Sequence, residues 1–239
     1  MPRTALLLAL LAAPAVQAQD LVTDRPDFTE SPVAVPLGSV QIEAGGTLTL
    51  EGDATEYAGP ETLVRWSFLP GAEVRVGLPD YRAVRAGGAT VDGVTDGALG
   101  VKVELATLAG WDLGFIGEAS VPLGDDAVGS TVVSPLAILI AGRDLGAVSL
   151  GTQAEARWNR ETDTAEFAAT AVVGTEIVPG LGTFGELFGE LVEDRLGLLG
   201  HAGLTYRVAP FVQLDVHAGV GLTEAAPDAL LGVGASARF

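Results

Sequence analysis

The chain has 239 residues, 48% of them hydrophobic and only 18% charged, with 31 acids against 13 Lys plus Arg and a formal net charge of -18. That acidic balance excludes a nucleic-acid partner, which requires a basic surface, and the absence of cysteine excludes a disulfide framework. So apolar a composition with so few charges points to a membrane.

At the N-terminus Arg3 precedes an apolar run from Ala5 to Val16 and then Val16-Gln17-Ala18. This is the pattern of a secretory signal peptide over 1–18, cleaved after Ala18; an anchor would need about 20 apolar residues. No later stretch supplies a spanning helix. The longest, VVSPLAILIAG at 132–142, is broken by Pro135 and is about half the length required. The other structure that satisfies every backbone group in lipid is a closed barrel of alternating strands.

Residues 19–37 form an extended segment ahead of that barrel, which takes up 38–239. The stretch TDRPDFTES holds Asp24, Arg25, Asp27 and Glu30, and Pro26 and Pro32 keep it extended. We expect it to enter the lumen in part, with Arg25 pairing interior acids and Phe28 in the constriction, as a small plug or gate. The alternative is a tail lying on the periplasmic rim.

The first strand is VQIEAGGTLTL, 40–50: Val40, Ile42, Ala44, Leu48 and Leu50 share one face, Gln41, Glu43, Thr47 and Thr49 the other. The pattern returns near 61–69, 72–79, 96–107, 111–122, 132–142, 147–158, 165–177, 183–192, 199–208, 211–222 and 230–239. The expected fold is therefore all-β, an antiparallel up-and-down barrel of twelve strands, with ten or fourteen as alternatives. The segment 132–142 is apolar on both faces, and 183–192 could start a helix.

Five connections are short: 69–71, 108–110, 143–146, 178–182 and 208–210. The opposite ones, GDATEYAGP, DYRAVRAGGATVDGVT, GDDAVGST, NRETDT, EDRLG and TEAAPD, are mostly longer and acidic, the rhythm of periplasmic turns and outer loops. Trp66, Phe68, Trp111, Tyr206, Phe211 and Phe239 fall near the periplasmic rim, and Tyr57, Tyr81, Trp158 and Phe167 near the outer one, as two aromatic girdles. The last strand runs to Phe239, as it can where it must pair with the first to remove both edges.

On the wet parity the interior carries Glu43, Glu61, Glu73, Glu104, Asp112, Glu118, Glu155, Glu176, Glu186, Glu190 and Asp215, opposed by Arg65, Arg75, Lys102, Arg157, Arg207 and Arg238. Mixed buried charges imply either a hydrated pore or a bracing network that seals the lumen. About twelve strands spaced 4.8 Å and tilted about 40° give a backbone radius of roughly 12 Å, so long side chains leave only a narrow passage.

Asp215 and His217 share the wet face near His201, and Ser236 could complete a hydrolytic set, but no G-x-S-x-G elbow is present. No catalytic residue, metal site or cofactor is expected. GLGTFG at 180–185 lacks a βαβ context, and GDDAVGS and the Asp92/Asp96 loop lack calcium-loop spacing.

TDRPDFTES, DGALGVKVEL at 96–105 and AGLTYRVAPFVQLDVHAGVGL at 202–222 before GVGASARF resemble the MetA-pathway of phenol degradation family of outer-membrane barrels. The resemblance implies a transporter-like passive channel for small, hydrophobic or aromatic solutes in the outer membrane of a Gram-negative bacterium. It also makes Phe239 similar to the signal read by the barrel-assembly machinery. Acidic loops would meet lipid and lipopolysaccharide through divalent cations. Oligomeric state is left open. A structural barrel with a sealed lumen is the alternative, and a lipid hydrolase a more remote one.

Overall fold

A computed structural model describes residues 21–192 and 195–239. The expected signal peptide and residues 193–194 of the EDRLG loop lie outside the described residues. Among those described there is no helix, and fifteen strands form one antiparallel sheet. In order they are β1 (Val40–Glu51), β2 (Ala54–Gly59), β3 (Leu63–Leu69), β4 (Ala72–Gly77), β5 (Tyr81–Ala86), β6 (Ala89–Val94), β7 (Gly97–Leu108) and β8 (Trp111–Val121). Then follow β9 (Pro135–Asp144), β10 (Ser149–Asn159), β11 (Thr164–Val178), β12 (Leu181–Val192), β13 (Arg195–Ala209), β14 (Val212–Gly221) and β15 (Ala229–Arg238).

Three staves are each interrupted once. β1 pairs with β3 through 40–43 and with β2 through 47–51, so β2 and β3 are two halves of one stave broken at Pro60. In the same way β4 continues into β5 past Pro79, and β6 into β7 past Thr95 and Asp96. Proline cannot donate to a ladder, which explains two of the breaks. Fifteen strands thus make a closed ring of twelve staves, sealed where Gln41–Leu50 of β1 meets Ala229–Arg238 of β15.

Closure extends to the last residue, since Val40 and Phe239 exchange both backbone hydrogen bonds, at 3.1 and 2.8 Å. Pairing along that seam removes both edges that an open sheet would present, a condition for a sheet in hydrocarbon.

The structure changes three boundaries. GDATEYAGP and DYRAVRAGGATVDGVT are not plain loops: the first holds β2, the second the hairpin β5–β6, so the staves rise beyond the expected rim. The sixth stave starts at Pro135, not at 132, and the possible helix at 183–192 is strand β12. Alternation there is simply read against neighbours that supply a ladder on both sides.

Outward positions are apolar and exposed as a lipid face requires, Leu99, Val101, Leu139, Val173, Leu187, Leu231 and Val233 among them. The girdle aromatics Trp66, Phe68, Tyr57, Tyr81, Trp158, Phe167, Tyr206, Phe211 and Phe239 all point outward. The interior is the reverse of a soluble core: Gln41, Glu43, Arg65, Ser67, Glu73, Lys102 and Ser236 are fully buried side chains. One apolar patch interrupts it, Ile116 with Ile138 and Ile140 on β8 and β9, accounting for the strand that reads apolar on both faces.

Candidate functional site in the lumen

Residues 21–36 do not lie on the rim. They rise from the short-turn end of the barrel to its middle, turn over at residues 27–30, and descend to β1. The ascending limb is held by an ionic cluster. Asp24 accepts from Lys102 Nζ at 2.8 Å, from Arg75 Nη1, and lies 3.2 Å from Arg65 Nη1. Arg65 also contacts Glu43 and Glu73 at 2.9 and 2.8 Å, and Arg75 Nη2 donates to Glu30 at 2.8 Å. Thus Asp24 and Glu30 of the segment complete a wall that β1, β3, β4 and β7 build from Glu43, Arg65, Glu73, Arg75 and Lys102.

Burial alone would raise the Asp24 carboxyl, but Arg65, Lys102 and Arg75 around it hold it well below the usual carboxylate range. Glu30 goes the other way: burial pushes it up to about 8, against the pull of Arg75 and with the push of Asp24. The cations do not offset that burial, since five carboxylates, Asp24, Glu30, Glu43, Glu73 and Glu118, face three cations, Arg65, Arg75 and Lys102. Asp27 is also raised well above its ordinary value, by burial and then by Glu186.

Arg25 crosses the lumen to Glu61 and Asp215, 3.4 and 3.3 Å away. Its guanidinium lies where Cβ atoms on Gly45 and Gly234 would stand, 2.3 and 2.4 Å from the ideal positions. The descending limb is seated in the same manner, because Pro32 backbone lies 2.9 Å from the Cβ that Gly114 lacks and its ring 2.9 Å from that of Gly142. Ala34 N donates to Glu104 at 2.9 Å and Val35 N to Glu73 at 2.7 Å.

At the turn, Glu186 of β12 accepts from Phe28 N at 3.0 Å, Thr29 N at 2.8 Å and Thr29 Oγ1 at 2.6 Å. A fourth contact, at 2.8 Å, comes from His201 Nδ1, whose Nε2 faces His217 Nδ1 at 2.9 Å. Glu30 N donates to Gln153 of β10 at 2.7 Å, and Thr29 Oγ1 meets Thr170 Oγ1 of β11 at 2.5 Å. The Phe28 ring packs at a tilt against Phe188 and His201, with centroids 4.8 and 4.7 Å away and planes 41° and 45° apart.

Two open cavities stand on either side of this turn. The inner one, about 650 Å³, is lined by Arg25, Asp27, Ser149, Gly174, Glu176, Phe184, Thr205, Arg207 and Gln213. The outer one, about 460 Å³, is lined by Arg82, Asp96, Glu118, Arg157, Asn159 and Glu166. On β10 the inward residues run Ser149, Gln153, Arg157, from the inner cavity past the turn to the outer cavity.

Other expected lumen residues make local contacts of their own. Asp112 accepts from Thr107 near the short-turn end, Glu176 from Gly180 N, and Glu155 pairs with Arg157 at 3.5 Å. Glu190 lies inward on β12 in register with Gly197, and Arg238 is in register with Gln41 at the seam. Phe239 is 75% exposed on the lipid side. Asp215 and His217 do not pair, because Asp215 is turned to Arg25 while His217 faces His201, and among the described residues Ser236 Oγ has no hydrogen-bond partner. Asp96 is spent on backbone N–H groups of Leu123, Gly124 and Ser130.

The sequence reading missed Thr29, Thr170, Gln153, Phe184 and Phe188 as lumen contacts. It also passed over a usable signal: Gly45, Gly114, Gly142 and Gly234 all fall on the inward parity, where a barrel without an insert has no need of missing side chains.

A family model described as "Putative MetA-pathway of phenol degradation" matches residues 23–239. Among solved structures, an outer membrane channel from Pseudomonas putida F1 aligns at TM-score 0.64 and 13% identity, over 87% of this chain and 98% of that one. The KdgM porin aligns at 0.60 and 10% identity over 83% and 99%, and the NanC porin at 0.57 and 10% over 83% and 100%. At such identities the likeness is one of fold. No curated protein matches the sequence.

Proposed function

The chain belongs to the MetA-pathway of phenol degradation family, and from that premise we propose that it is a passive outer-membrane channel for small solutes, closed at rest by its own residues 27–30. The observation that carries this reading is the pair of cavities stacked in one lumen and divided by a turn of chain held through Glu186, Gln153 and Thr170. Diffusion down a gradient needs no nucleotide or ion coupling. Withdrawal of the turn would join the cavities while Asp24 keeps the ascending limb on the opposite wall. The excess of acids over bases favours cations and neutral solutes over anions. On this reading the protein is a channel and not an enzyme.

Export by the secretory pathway to the outer membrane of a Gram-negative bacterium, presentation of Phe239 to the assembly machinery, and contact of acidic loops with lipopolysaccharide belong to the same proposal. The test is single-channel conductance in planar bilayers of the refolded protein with and without the residues before Leu37. Discrete steps that grow on removal support a gated pore. Silence from both, with heat-modifiable migration showing folded barrels, would leave a sealed structural barrel.

A further inference from the structure

Phe28 is the one aromatic ring of the inserted segment, and it sits in a ring-shaped slot of the wall. Phe188 and His201 flank it at 4.8 and 4.7 Å between centroids, with Phe184 edge-on to His201 at 5.1 Å. His201 and Glu186 are buried, whereas Phe28 is 36% exposed, so the slot opens toward solvent on one side. Beside the slot, Glu186 takes three hydrogen bonds from the segment, two from N–H groups and one from a hydroxyl. When the turn withdraws, Glu186 keeps only its contact with His201, and Phe188 and His201 lose the Phe28 ring at the same time. Acceptors left without donors and uncovered ring faces both disfavour that state. Whatever holds the turn open must therefore restore both.

We propose that this slot is a binding site for arylalkyl amines, in which a solute ring replaces that of Phe28 and a cationic amine replaces the segment's donors on Glu186. The proposal rests on the reading of residues 27–30 as a gate. The spacing comes from the segment itself: from ring to Phe28 N there are two carbons, Cβ and Cα, and that nitrogen donates to Glu186 at 3.0 Å. A 2-arylethylamine reproduces this ring, the two carbons and the nitrogen. Its ammonium can direct one or two N–H donors at Glu186 from the position of Phe28 N, in place of donors that the segment supplied. An ammonium on a carboxylate forms a charge-assisted bond, stronger than the neutral amide bonds it displaces. Phe28 thus acts as a resident stand-in for the solute, and binding and opening compete for one site.

The test is calorimetric titration of the refolded protein in detergent with 2-phenylethylamine, 2-cyclohexylethylamine and phenylacetate. Phe28→Ala, which alters the segment and leaves the barrel wall intact, should bind 2-phenylethylamine about tenfold more tightly than the unaltered protein, which must first displace its own ring. Adding Glu186→Gln to Phe28→Ala should abolish the gain, and Phe188→Ala should reduce it, each variant shown to be folded by heat-modifiable migration. Equal binding of the cyclohexyl amine would overturn the ring slot. Equal binding of phenylacetate, or no gain in Phe28→Ala, would overturn the proposal altogether. Tight binding with silent bilayers would keep the site and remove the pore, whereas conductance without binding would do the reverse.

Discussion

At the scale of single residues the unusual feature is a charge cluster that does not balance. Five carboxylates meet three cations around the inserted segment, and burial together with that surplus pushes the Glu30 carboxyl up to about 8. In the withdrawn segment Glu30 is an ordinary carboxyl near 4.5, and in the seated one it is near 8. A group whose seated value is raised lends its stabilisation fully below the lower value and loses it as pH climbs through the higher one. Asp27 shifts in the same direction. The seat therefore weakens between those two values, and open probability in bilayers should rise as pH is taken from about 4.5 to about 8. Glu30→Gln, which keeps the hydrogen-bonding shape without the titration, should flatten that rise. An unchanged profile in this variant would mean that other groups set it.

At the scale of elements, the inserted segment and the strands beside it are shaped for one another. Where Gly114 and Gly142 lie on β8 and β9, the descending limb comes so close that Pro32 occupies the space of their absent side chains. Replacing Gly114 with Val meets Pro32 backbone rather than a flexible side-chain end, so the limb must move away from the wall. We expect Gly114→Val to fold as a heat-modifiable barrel and to conduct in larger or more frequent steps than the unaltered protein. Identical conductance would show that the descending limb is not part of the closure. The outer hairpin is another matched pair, since the loop after β8 ties to β6 through Asp125 N to Val94 O at 2.7 Å and Val94 N to Asp125 Oδ2 at 2.8 Å. That loop covers an edge that β6 would otherwise expose.

For the whole molecule, stability rests on closure. The seam between β1 and β15 pairs Gln41 through Leu50 with Arg238 through Ala229, and neither strand has a covalent staple to replace it. Removing residues 229–239 would expose the β1 and β14 ladders to hydrocarbon, where unpaired backbone groups cost several kcal/mol each. That truncation should abolish heat-modifiable migration altogether. A folded, protease-resistant product would show that β14 can close directly on β1.

Most of the fold was legible because a barrel writes itself in local pattern. Val40 to Leu50 shows its lipid face and wet face without reference to anything else, and the short turns at Pro70, Gly110, Pro179 and Pro210 mark one end. Of the charges expected inside, Glu43, Arg65, Glu73, Arg75 and Lys102 are buried. What pattern could not carry was any pairing across the lumen. Asp24 finds Lys102, 78 positions away, and Phe28 finds Glu186, 158 positions away, only once the ring is closed. Alternation of polarity also broke down at Ile116, Ile138 and Ile140, which take inward positions on the neighbouring strands β8 and β9 and pack on one another. The sequence by itself thus determined the kind of surface each strand presents, because side-chain direction alternates with every residue. Which of those surfaces meet one another, and therefore where the lumen is closed, was decided by the tertiary structure, because contacts across a barrel depend on register and curvature that no short stretch contains.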